Sequence, residues 1–325
     1  MTNGYPRDLK GYGEHPPDPR WPGGARLAIS FVMNWEEGGE RSVLHGDAAS
    51  EHAIQDVIGA EPWPGARHVN VESMFEYGSR AGVWRLLRLF EGAGIPLTVF
   101  AVGMAVERYP AIVQRMAAAG HEICSHGYRW LDYRDIPEAV ERQHLALAVT
   151  AIEDATGQRP VGWYTGRCST NTRRLVVEAG GFLYDSDSYA DDLPYWELVG
   201  ERPHLVIPYT LDVNDMRFVA AANFGSGDDF FTVMKDSFDV LYAEGADHPR
   251  MMSLGLHTRL AGRPARSAAL GRFIDYARSH EHVWYPTRRQ IAEHWIAEHP
   301  YGPGGGSPDR DGISAGRLPA GPGRS

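Results

Sequence analysis

Short apolar runs alternate with longer amphipathic segments along most of the chain. The apolar runs are continuous, which is typical of strands buried on both faces of a sheet. They cover residues 25–33, 96–103, 121–125, 160–164, 181–187, 204–209, 251–256 and 282–285. Between them, apolar positions recur at helical spacing over residues 78–93, 107–119, 137–156, 170–179, 228–244, 264–279 and 287–298.

Repeated strand-then-helix units predict an α/β fold with a parallel sheet and right-handed crossovers. Seven or eight such units favour a (β/α) barrel of irregular shape over an open sheet. We expect one catalytic barrel over residues 25–300, with an extended arm at 1–24 packed on it. Residues 301–325 are rich in Gly and Pro and nearly free of apolar side chains. Such a tail is predicted to be disordered, because it cannot offset the entropy of ordering.

The composition is that of a soluble globular protein, with 43% hydrophobic and 23% charged residues in 325. A net charge of −10 argues against a surface for nucleic acid or anionic membrane. No apolar run reaches the roughly 18–20 residues of a transmembrane helix. The first residues also lack the apolar core of a secretion signal. We therefore expect a cytoplasmic protein with neither nucleic-acid nor membrane partners.

In barrels of this kind the active site lies at the carboxyl ends of the strands. Ionisable residues follow six predicted strands, and this convergence predicts an enzyme. The six segments are 34–37, 126–130, 164–167, 185–187, 210–217 and 257–259. A Gly-rich dinucleotide loop, a phosphate-binding loop and a lipase-type serine motif are all missing from the expected places, so nucleotide binding and serine chemistry are unsupported.

Glu36 and Glu37 follow a buried strand and precede two glycines. One of two neighbouring carboxylates in a partly desolvated pocket can have its pKa raised toward the range of a general base. The alternative is a solvated loop. His126 and His257 are each, taken singly, more often structural, although the place of His257 directly after an apolar strand favours a site.

The remaining candidates also carry two interpretations. Asp185 and Asp187 either hold the loops behind the site or bind an arginine such as Arg167. Trp35 and Trp130 either wall the pocket or belong to the core, because an indole is an apolar body with one donor.

These strand-end motifs resemble the polysaccharide deacetylase (NodB-homology) superfamily, whose members share a distorted (β/α) barrel. Its first motif is a pair of aspartates, one a general base and one a metal ligand, and its second is His-x-x-x-His. Glu36-Glu37 stands at the first motif and His126 at the second. The later motifs correspond to Arg159–Arg167, Asp185–Asp187 and Leu256-His257.

Two departures from that pattern concern the metal. Both aspartates are glutamates, and Trp130 replaces the second histidine. A catalytic zinc normally has three protein ligands and an open water position. Only Glu37 and His126 stand at matching positions, so we expect no metal and no other cofactor. The alternative is a zinc recruited with another carboxylate or with water.

Within the superfamily the chain is most similar to the cofactor-independent allantoinases of bacterial purine degradation, up to about residue 300. The resemblance is carried by stretches such as ESMFEYGSRAGVWRLL, GHEICSHGYRW, RPVGWYTGR, YDSDSYADDLPYW, PYTLDVNDMRF and LGLHTRLAGRPAR. It implies hydrolysis of a ring amide of allantoin to give allantoate, and a homo-oligomer such as a tetramer. The alternatives are a zinc-dependent deacetylase or cyclic-imide hydrolase, and a non-catalytic barrel that binds a ureide or sugar.

Under this resemblance Glu36 is the candidate general base, and His257 the general acid for the leaving ring nitrogen. His126 is the alternative acid, or orients the water. Arg167, or a backbone N–H between Tyr164 and Gly166, is expected to stabilise the oxyanion. The residues expected to bind substrate are Trp35, Glu37, Trp130, Tyr164, Asn214, Asp215 and Arg217, with Asp185 and Asp187 behind them.

Overall fold

The computed structural model describes residues 7–220 and 224–302. In this part of the chain nine strands form one curled sheet, a half-barrel. They are Leu27–Trp35 (β1), Thr98–Ala101 (β2), Glu122–Ser125 (β3), Gly162–Trp163 (β4), Tyr184–Asp185 (β5), Tyr195–Val199 (β6), Arg202–Val206 (β7), Arg250–His257 (β8) and Val283–Trp284 (β9). Their order is β6-β7-β5-β4-β3-β2-β1-β8, with β9 beside the start of β1.

Helices cover the outside of the sheet. They are Val69–Tyr77 (α1), Val83–Ala93 (α2), Gly103–Arg108 (α3), Pro110–Ala118 (α4), Glu138–Thr156 (α5), Thr172–Ala179 (α6), Gly227–Glu244 (α7), Pro264–Arg278 (α8) and Arg288–Glu298 (α9). Each predicted strand and helical segment overlaps an observed one. The predicted α/β fold, a distorted barrel of seven or eight parallel strands, is therefore confirmed, with eight parallel strands among the described residues. The additions are α1 and the antiparallel strand β6.

Strand β1 lies next to the end strand β8 and has neighbours on both edges, and all nine of its residues are buried. One edge pairs with β8, while the other pairs with β9 at its start and with β2 at its end. Burial on both faces explains why this segment is a continuous apolar run rather than an alternating one. The strand also ends two residues later than predicted, at Trp35.

The curled sheet has a gap between its two end strands. No ladder joins β6 to β8 among the described residues, and the segment after β7 crosses the opening instead. Within it, Asn214 forms a single bridge to Gly255 of β8. Arg288, from the start of α9, is fully buried in the same place. Its guanidinium donates to Ser186 at 2.9 Å, to Ser253 at 2.8 Å and to the carbonyls of residues 207 and 208.

The predicted N-terminal arm is described from residue 7 onward, and this part lies against the barrel. The Tyr12 hydroxyl donates to the Pro194 carbonyl at 2.6 Å, and the indole of Trp21 donates to the Arg250 carbonyl at 2.9 Å. Residues 1–6 of the arm and 303–325 of the predicted tail lie outside the described residues. None of the described helices combines the length and hydropathy of a membrane span.

Candidate functional site

A cavity of about 130 Å³ lies at the carboxyl ends of the strands. It brings together seven of the predicted site residues, namely Glu36, His126, Trp130, Tyr164, Arg167, Asn214 and His257. It is also lined by Thr165 and Gly166, whose backbone N–H groups were predicted as alternative oxyanion donors. The lining residues that were not predicted are Asn34, Ile54, Tyr189, Tyr209, Leu211 and Met216. Side chains that follow different predicted strands therefore meet in one cavity, as expected.

The alternation of β1 decides which side chains at its end reach the cavity. Successive residues of a strand point to opposite faces, so Asn34 and Glu36 share the cavity side. Trp35 is fully buried on the other side, with its ring 6.4 Å from that of Tyr109. Glu37 accepts hydrogen bonds from the Thr258 hydroxyl and from the backbone N–H before it. Trp35 and Glu37, both predicted to bind substrate, therefore do not line the cavity.

Two imidazoles converge on one oxygen of Glu36. Its Oε1 lies 3.3 Å from Nε2 of His126 and 3.5 Å from Nε2 of His257. The other ring nitrogen of each histidine has its own acceptor, the Tyr164 carbonyl at 3.3 Å for His126 and Asp215 at 2.6 Å for His257. These acceptors assign an N–H to both Nδ1 atoms. The Nε2 atoms of both rings therefore face the same carboxylate oxygen.

Asp215 is fully buried and does not line the cavity. Its carboxylate accepts from the ring and the backbone N–H of His257, at 2.6 and 2.7 Å, and from the backbone of Ala261 at 2.8 Å. This corrects the prediction that Asp215 contacts substrate. The carboxylate instead fixes the tautomer and orientation of His257, so that Nε2 faces the cavity.

Arg259 supplies the positive charge of the site. It is fully buried, and its Nη1 lies 2.7 Å from Oε2 of Glu36 and 3.8 Å from Oε1 of Glu37. Its guanidinium carbon lies 4.3 Å from the centre of the Phe75 ring and 5.1 Å from that of Trp130. Two carboxylates and two aromatic rings thus surround one permanent cation.

These charges separate the pKa values of the two glutamates. Burial alone raises the pKa of Glu36, but Arg259 and the two histidines outweigh it and hold this pKa below its usual range. Burial raises the pKa of Glu37, and Arg259 only partly opposes the effect. The raised pKa expected for one carboxylate of the pair therefore falls on Glu37, outside the cavity. It does not fall on Glu36, the predicted base.

Of the two kinds of oxyanion donor predicted in the loop after β4, Arg167 and the backbone N–H groups, the structure favours Arg167. The backbone N–H of Tyr164 donates to a carbonyl at 2.9 Å, and those of Thr165 and Gly166 donate to Asp187 at 2.9 and 2.7 Å. All three predicted N–H donors therefore already have acceptors. The Arg167 guanidinium lines the cavity and lies 4.2 Å from the centre of the Trp130 ring.

The acidic pair after β5 lies behind that loop. Asp185 accepts from Arg173 at 2.7 Å and lies 3.0 Å from Nε2 of His204, so its arginine is not Arg167. Burial and the charge of Asp185 raise the pKa of Asp187 to about 6.

Arg217, predicted to bind substrate, also lies outside the cavity. Its guanidinium carbon is 5.5 Å from the centre of the Phe224 ring, and its neighbour Met216 takes the lining position.

Comparison with known proteins places the chain in a family. The sequence profile of the polysaccharide deacetylase family matches residues 67–181. A Schizosaccharomyces pombe protein, provisionally named a polysaccharide deacetylase, is 44% identical over 315 residues, which cover 91% of this chain and 98% of the relative. The chain belongs to the polysaccharide deacetylase family.

Two solved structures are similar to this chain along most of its length. One is described as a probable polysaccharide deacetylase from Pseudomonas aeruginosa PAO1, with 61% identity, a TM-score of 0.90 and coverage of 92% of this chain and 100% of that one. The other is described as PuuE allantoinase, with 61% identity, a TM-score of 0.90 and coverage of 92% and 99%.

The residues at the family's metal position do not form a metal site. In the described residues no three His, Cys, Asp or Glu side chains have an arrangement that could hold a metal ion. Glu37 faces Thr258, and Trp130 stands where the motif has its second histidine. The guanidinium of Arg259 beside both glutamates also disfavours a second cation there. That the protein works without metal stays a prediction.

Two of the residues that sequence reasoning missed had a signal. Asn34 and Arg259 both stand inside segments that the sequence already places at strand ends, 34–37 and 257–259. Asn34 donates to the Tyr209 hydroxyl at 3.2 Å inside the barrel. Only the fold shows that Tyr209 reaches this amide.

Proposed function

We propose that this protein hydrolyses a ring amide of a small cyclic ureide, allantoin, to give allantoate. The observation that carries the proposal is a cavity of about 130 Å³ that presents one carboxylate, two oriented imidazoles and one arginine. Sites for larger ligands commonly measure about 300–1,000 Å³, so the volume favours a small ring over a sugar chain. The neighbour described as an allantoinase, at 61% identity, supports the same substrate.

The oriented histidines divide the acid and base roles. We assign His257 as the acid, because Asp215 on Nδ1 orients its ring so that Nε2 faces the cavity beside Glu36. We assign His126 as the base, because its Nδ1–H donates to the Tyr164 carbonyl and its Nε2 is left to accept a proton in the cavity. In this assignment Glu36 stabilises whichever imidazole is charged. It revises the prediction in which Glu36 itself is the base.

The reaction then adds one water across the ring C–N bond. Water gives a proton to Nε2 of His126 as its oxygen bonds to the ring carbonyl carbon. The carbonyl oxygen becomes an oxyanion facing Arg167, a type of contact worth about 3–4 kcal/mol in amide chemistry. The C–N bond breaks, and the ring nitrogen takes the proton of the His257 imidazolium. Proton exchange through Glu36 restores both histidines.

The neutral, donor-rich substrate needs amide and hydroxyl partners around the ring. Asn34, Asn214 and Tyr209 supply them from β1 and from the segment after β7. Asn34 and Asn214 both donate to the Tyr209 hydroxyl, at 3.2 and 3.5 Å. We expect these three side chains to hydrogen-bond the ring and ureido N–H and C=O groups.

The test is allantoate formation from racemic allantoin by the purified protein, with and without EDTA, beside metal analysis of the same sample. The proposal predicts turnover that survives chelation at negligible metal content. Turnover lost with EDTA and restored by zinc would keep the substrate and overturn the metal-free mechanism. Activity only on an N-acetyl sugar or a cyclic imide would replace the substrate assignment. No turnover on any of them would favour a binding protein.

Glu36→Gln is the variant that separates catalysis from folding. It keeps the shape of the side chain but removes the charge that stabilises both imidazoles, so kcat should fall on the order of 10²–10⁴-fold. Glu37→Gln is the matched control, because Glu37 lies outside the cavity and its pKa is already raised toward the neutral form. Initial rates and circular dichroism of both variants give the result. Near-normal turnover of E36Q would remove Glu36 from the mechanism.

A further inference from the structure

We propose that Arg259 is a positioning residue of this site, whose buried guanidinium fixes the Glu36 carboxylate against His126 and His257. It supplies, from within the chain, the positive charge that a bound cation would supply to two adjacent carboxylates. The inference deepens the proposed function and rests on it. Arg259 does not line the cavity, so it acts through Glu36 and not on the substrate.

The contacts of Arg259 define the place of Glu36. Nη1 lies on Oε2 of Glu36 at 2.7 Å, which turns the other oxygen, Oε1, toward both imidazoles. On its opposite side the guanidinium donates from Nε to the Ile54 carbonyl at 2.8 Å. Ile54 has φ of 49°, a strained value for a β-branched residue, and it lines the cavity. One side chain thus ties the cavity loop to the central carboxylate.

The free-energy cost of burying the Arg259 guanidinium beside Glu36 argues that this ion pair serves function. The terminal nitrogens of Arg259 are buried, and among the described residues they have no aligned hydrogen-bond partner. A buried ion pair without such bonds is often less stabilising than apolar packing of the same volume. Stability therefore gives no reason to hold an arginine here, whereas control of Glu36 does.

The aromatic surroundings explain how the charge stays in place without further bonds. The faces of Phe75 and Trp130 attract a guanidinium through their ring quadrupoles. Trp130 also contacts Arg167, at 4.2 Å, so a single indole supports both the buried and the cavity-facing arginine. The residue at the family's second metal-histidine position therefore supports cations of the chain itself.

The experiment compares Arg259→Met, Arg259→Gln and Arg259→Lys with wild type, and repeats Arg259→Met in the Glu36→Gln background. Loss of a partner that positions a catalytic group typically costs about 10–100-fold. We expect that loss in kcat for R259M and R259Q, a KM within about threefold, and higher kcat for R259K. Because Arg259 acts through Glu36, R259M should cause no further loss in E36Q.

Arg266→Met is the matched control. Arg266 also pairs with a carboxylate, Asp56 at 2.6 Å, and lies over a ring, Phe218 at 4.3 Å, but it touches neither glutamate. We expect its kcat within about twofold of wild type.

Four outcomes would overturn the inference. They are a folded R259M or R259Q with wild-type kcat, an R259K no better than R259Q, an additive loss in the E36Q background, and an equal loss in R266M. If R259M does not fold, R259Q and R259K carry the comparison.

A second readout keeps this inference separable from the proposed function. Nitrogen-15 NMR of the imidazoles needs no substrate. The signals of His126 and His257 should move in R259Q and stay in place in R266M. Wild type inactive on allantoin, with these shifts present, would contradict the substrate and keep the role of Arg259. An active wild type with unmoved signals in R259Q would contradict the role of Arg259 alone.

Discussion

Asp215 contacts no part of the cavity, yet its position decides what His257 can do. Without a carboxylate at 2.6 Å on Nδ1, the imidazole is free to rotate or to carry its proton on Nε2. His257, the acid of the proposed reaction, therefore depends on Asp215, which is buried behind its ring.

Asp215→Asn should lower kcat on the order of 10²–10⁴-fold, because an amide cannot hold His257 in the same tautomer and charge. Steady-state kinetics with thermal unfolding measures this. Glu141→Gln is the control, since Glu141 is also buried and accepts from Ser169 and Thr172, away from the cavity. A D215N enzyme within tenfold of wild type, or an equal loss in E141Q, would contradict the assignment.

Asp187 gives the stability of this protein a pH dependence. Its pKa is raised to about 6 in the folded state, against about 3.9 in an unfolded chain. Between these values the folded state binds more protons, so stability falls as pH rises through the window from about 4 to 6.

In Asp187→Asn this contribution is absent, while one carbonyl oxygen still accepts from the loop after β4. The free energy of unfolding of wild type minus that of D187N should therefore decrease from pH 4 to pH 6 and stay level above it. Urea titrations at several pH values test this. A difference independent of pH would show that the carboxyl of Asp187 is not perturbed.

For single residues, the sequence predicted which side chains lie in the cavity better than it predicted what each of them contacts. Position after a strand predicted Glu36, His126, Arg167 and His257 at one place, and the cavity contains all four. The partners of these side chains are far away in the chain, and no local pattern encodes them. The pairing of Glu36 with Arg259, across 223 positions, and the occupied N–H donors around Gly166 both needed the fold.

Among the elements, the strands with continuous apolar runs were predicted from the sequence, and strand β6 was not. Strand β6, Tyr195–Val199, is only partly buried and pairs on one edge alone. It therefore shows no continuous apolar run. Its one local signal was Gly200, whose φ of 64° makes the turn into β7. Helix α1 merges into α2 through a π-helical turn, Gly78–Gly82, which breaks the helical spacing of apolar positions.

That π-helical turn brings helix backbone against the site. A Cβ on Gly78 would overlap the Glu37 carboxylate, and one on Gly82 would overlap the Thr258 carbonyl oxygen. The missing side chains of Gly78 and Gly82 thus leave room for Glu37 and Thr258 at this turn. Single π-helical turns within α-helices often occur at functional sites.

Gly82→Ala should destabilise the protein by about 1–3 kcal/mol, because the added methyl forces the turn away from β8. Gly92→Ala in the same helical segment is the control. Nothing lies within 4 Å of a Cβ there, so alanine should add up to about 1 kcal/mol of stability. Chemical denaturation of both variants tests the pair. A G82A protein as stable as wild type would show that the contact can relax.

At the scale of the whole molecule, no strand ladder closes the barrel among the described residues. The segment after β7 crosses the gap, and the Arg288 side chain bonds to both sides of it. Arg288 spans the gap with bonds to Ser186, Ser253 and two carbonyls after β7. The sequence predicted strands and helices but not this gap. Whether a curled sheet closes depends on strand register and tilt, which apolar runs do not record.

Arg288→Met should lower the free energy of unfolding on the order of 3 kcal/mol, since it leaves several buried acceptors without a donor. Arg289→Met next to it is the control. Its side chain is half exposed and pairs with Glu293 one turn on, so little change is expected. Equal denaturation midpoints for the two variants would contradict the closing role of Arg288.

The position of Arg288 in the chain also bears on how the protein is made. Ribosomes deliver a chain from its N-terminus, and finished portions begin to fold while the rest is still being synthesised. The strands on both sides of the gap, through β8, emerge well before α9. While residue 288 is still inside the ribosomal exit tunnel, a nascent chain whose His257 has already emerged lacks the Arg288 hydrogen bonds that join the two sides of the gap. The candidate site residues up to His257 can come together early, but the contacts of Arg288 across the gap form only after α9 has been synthesised.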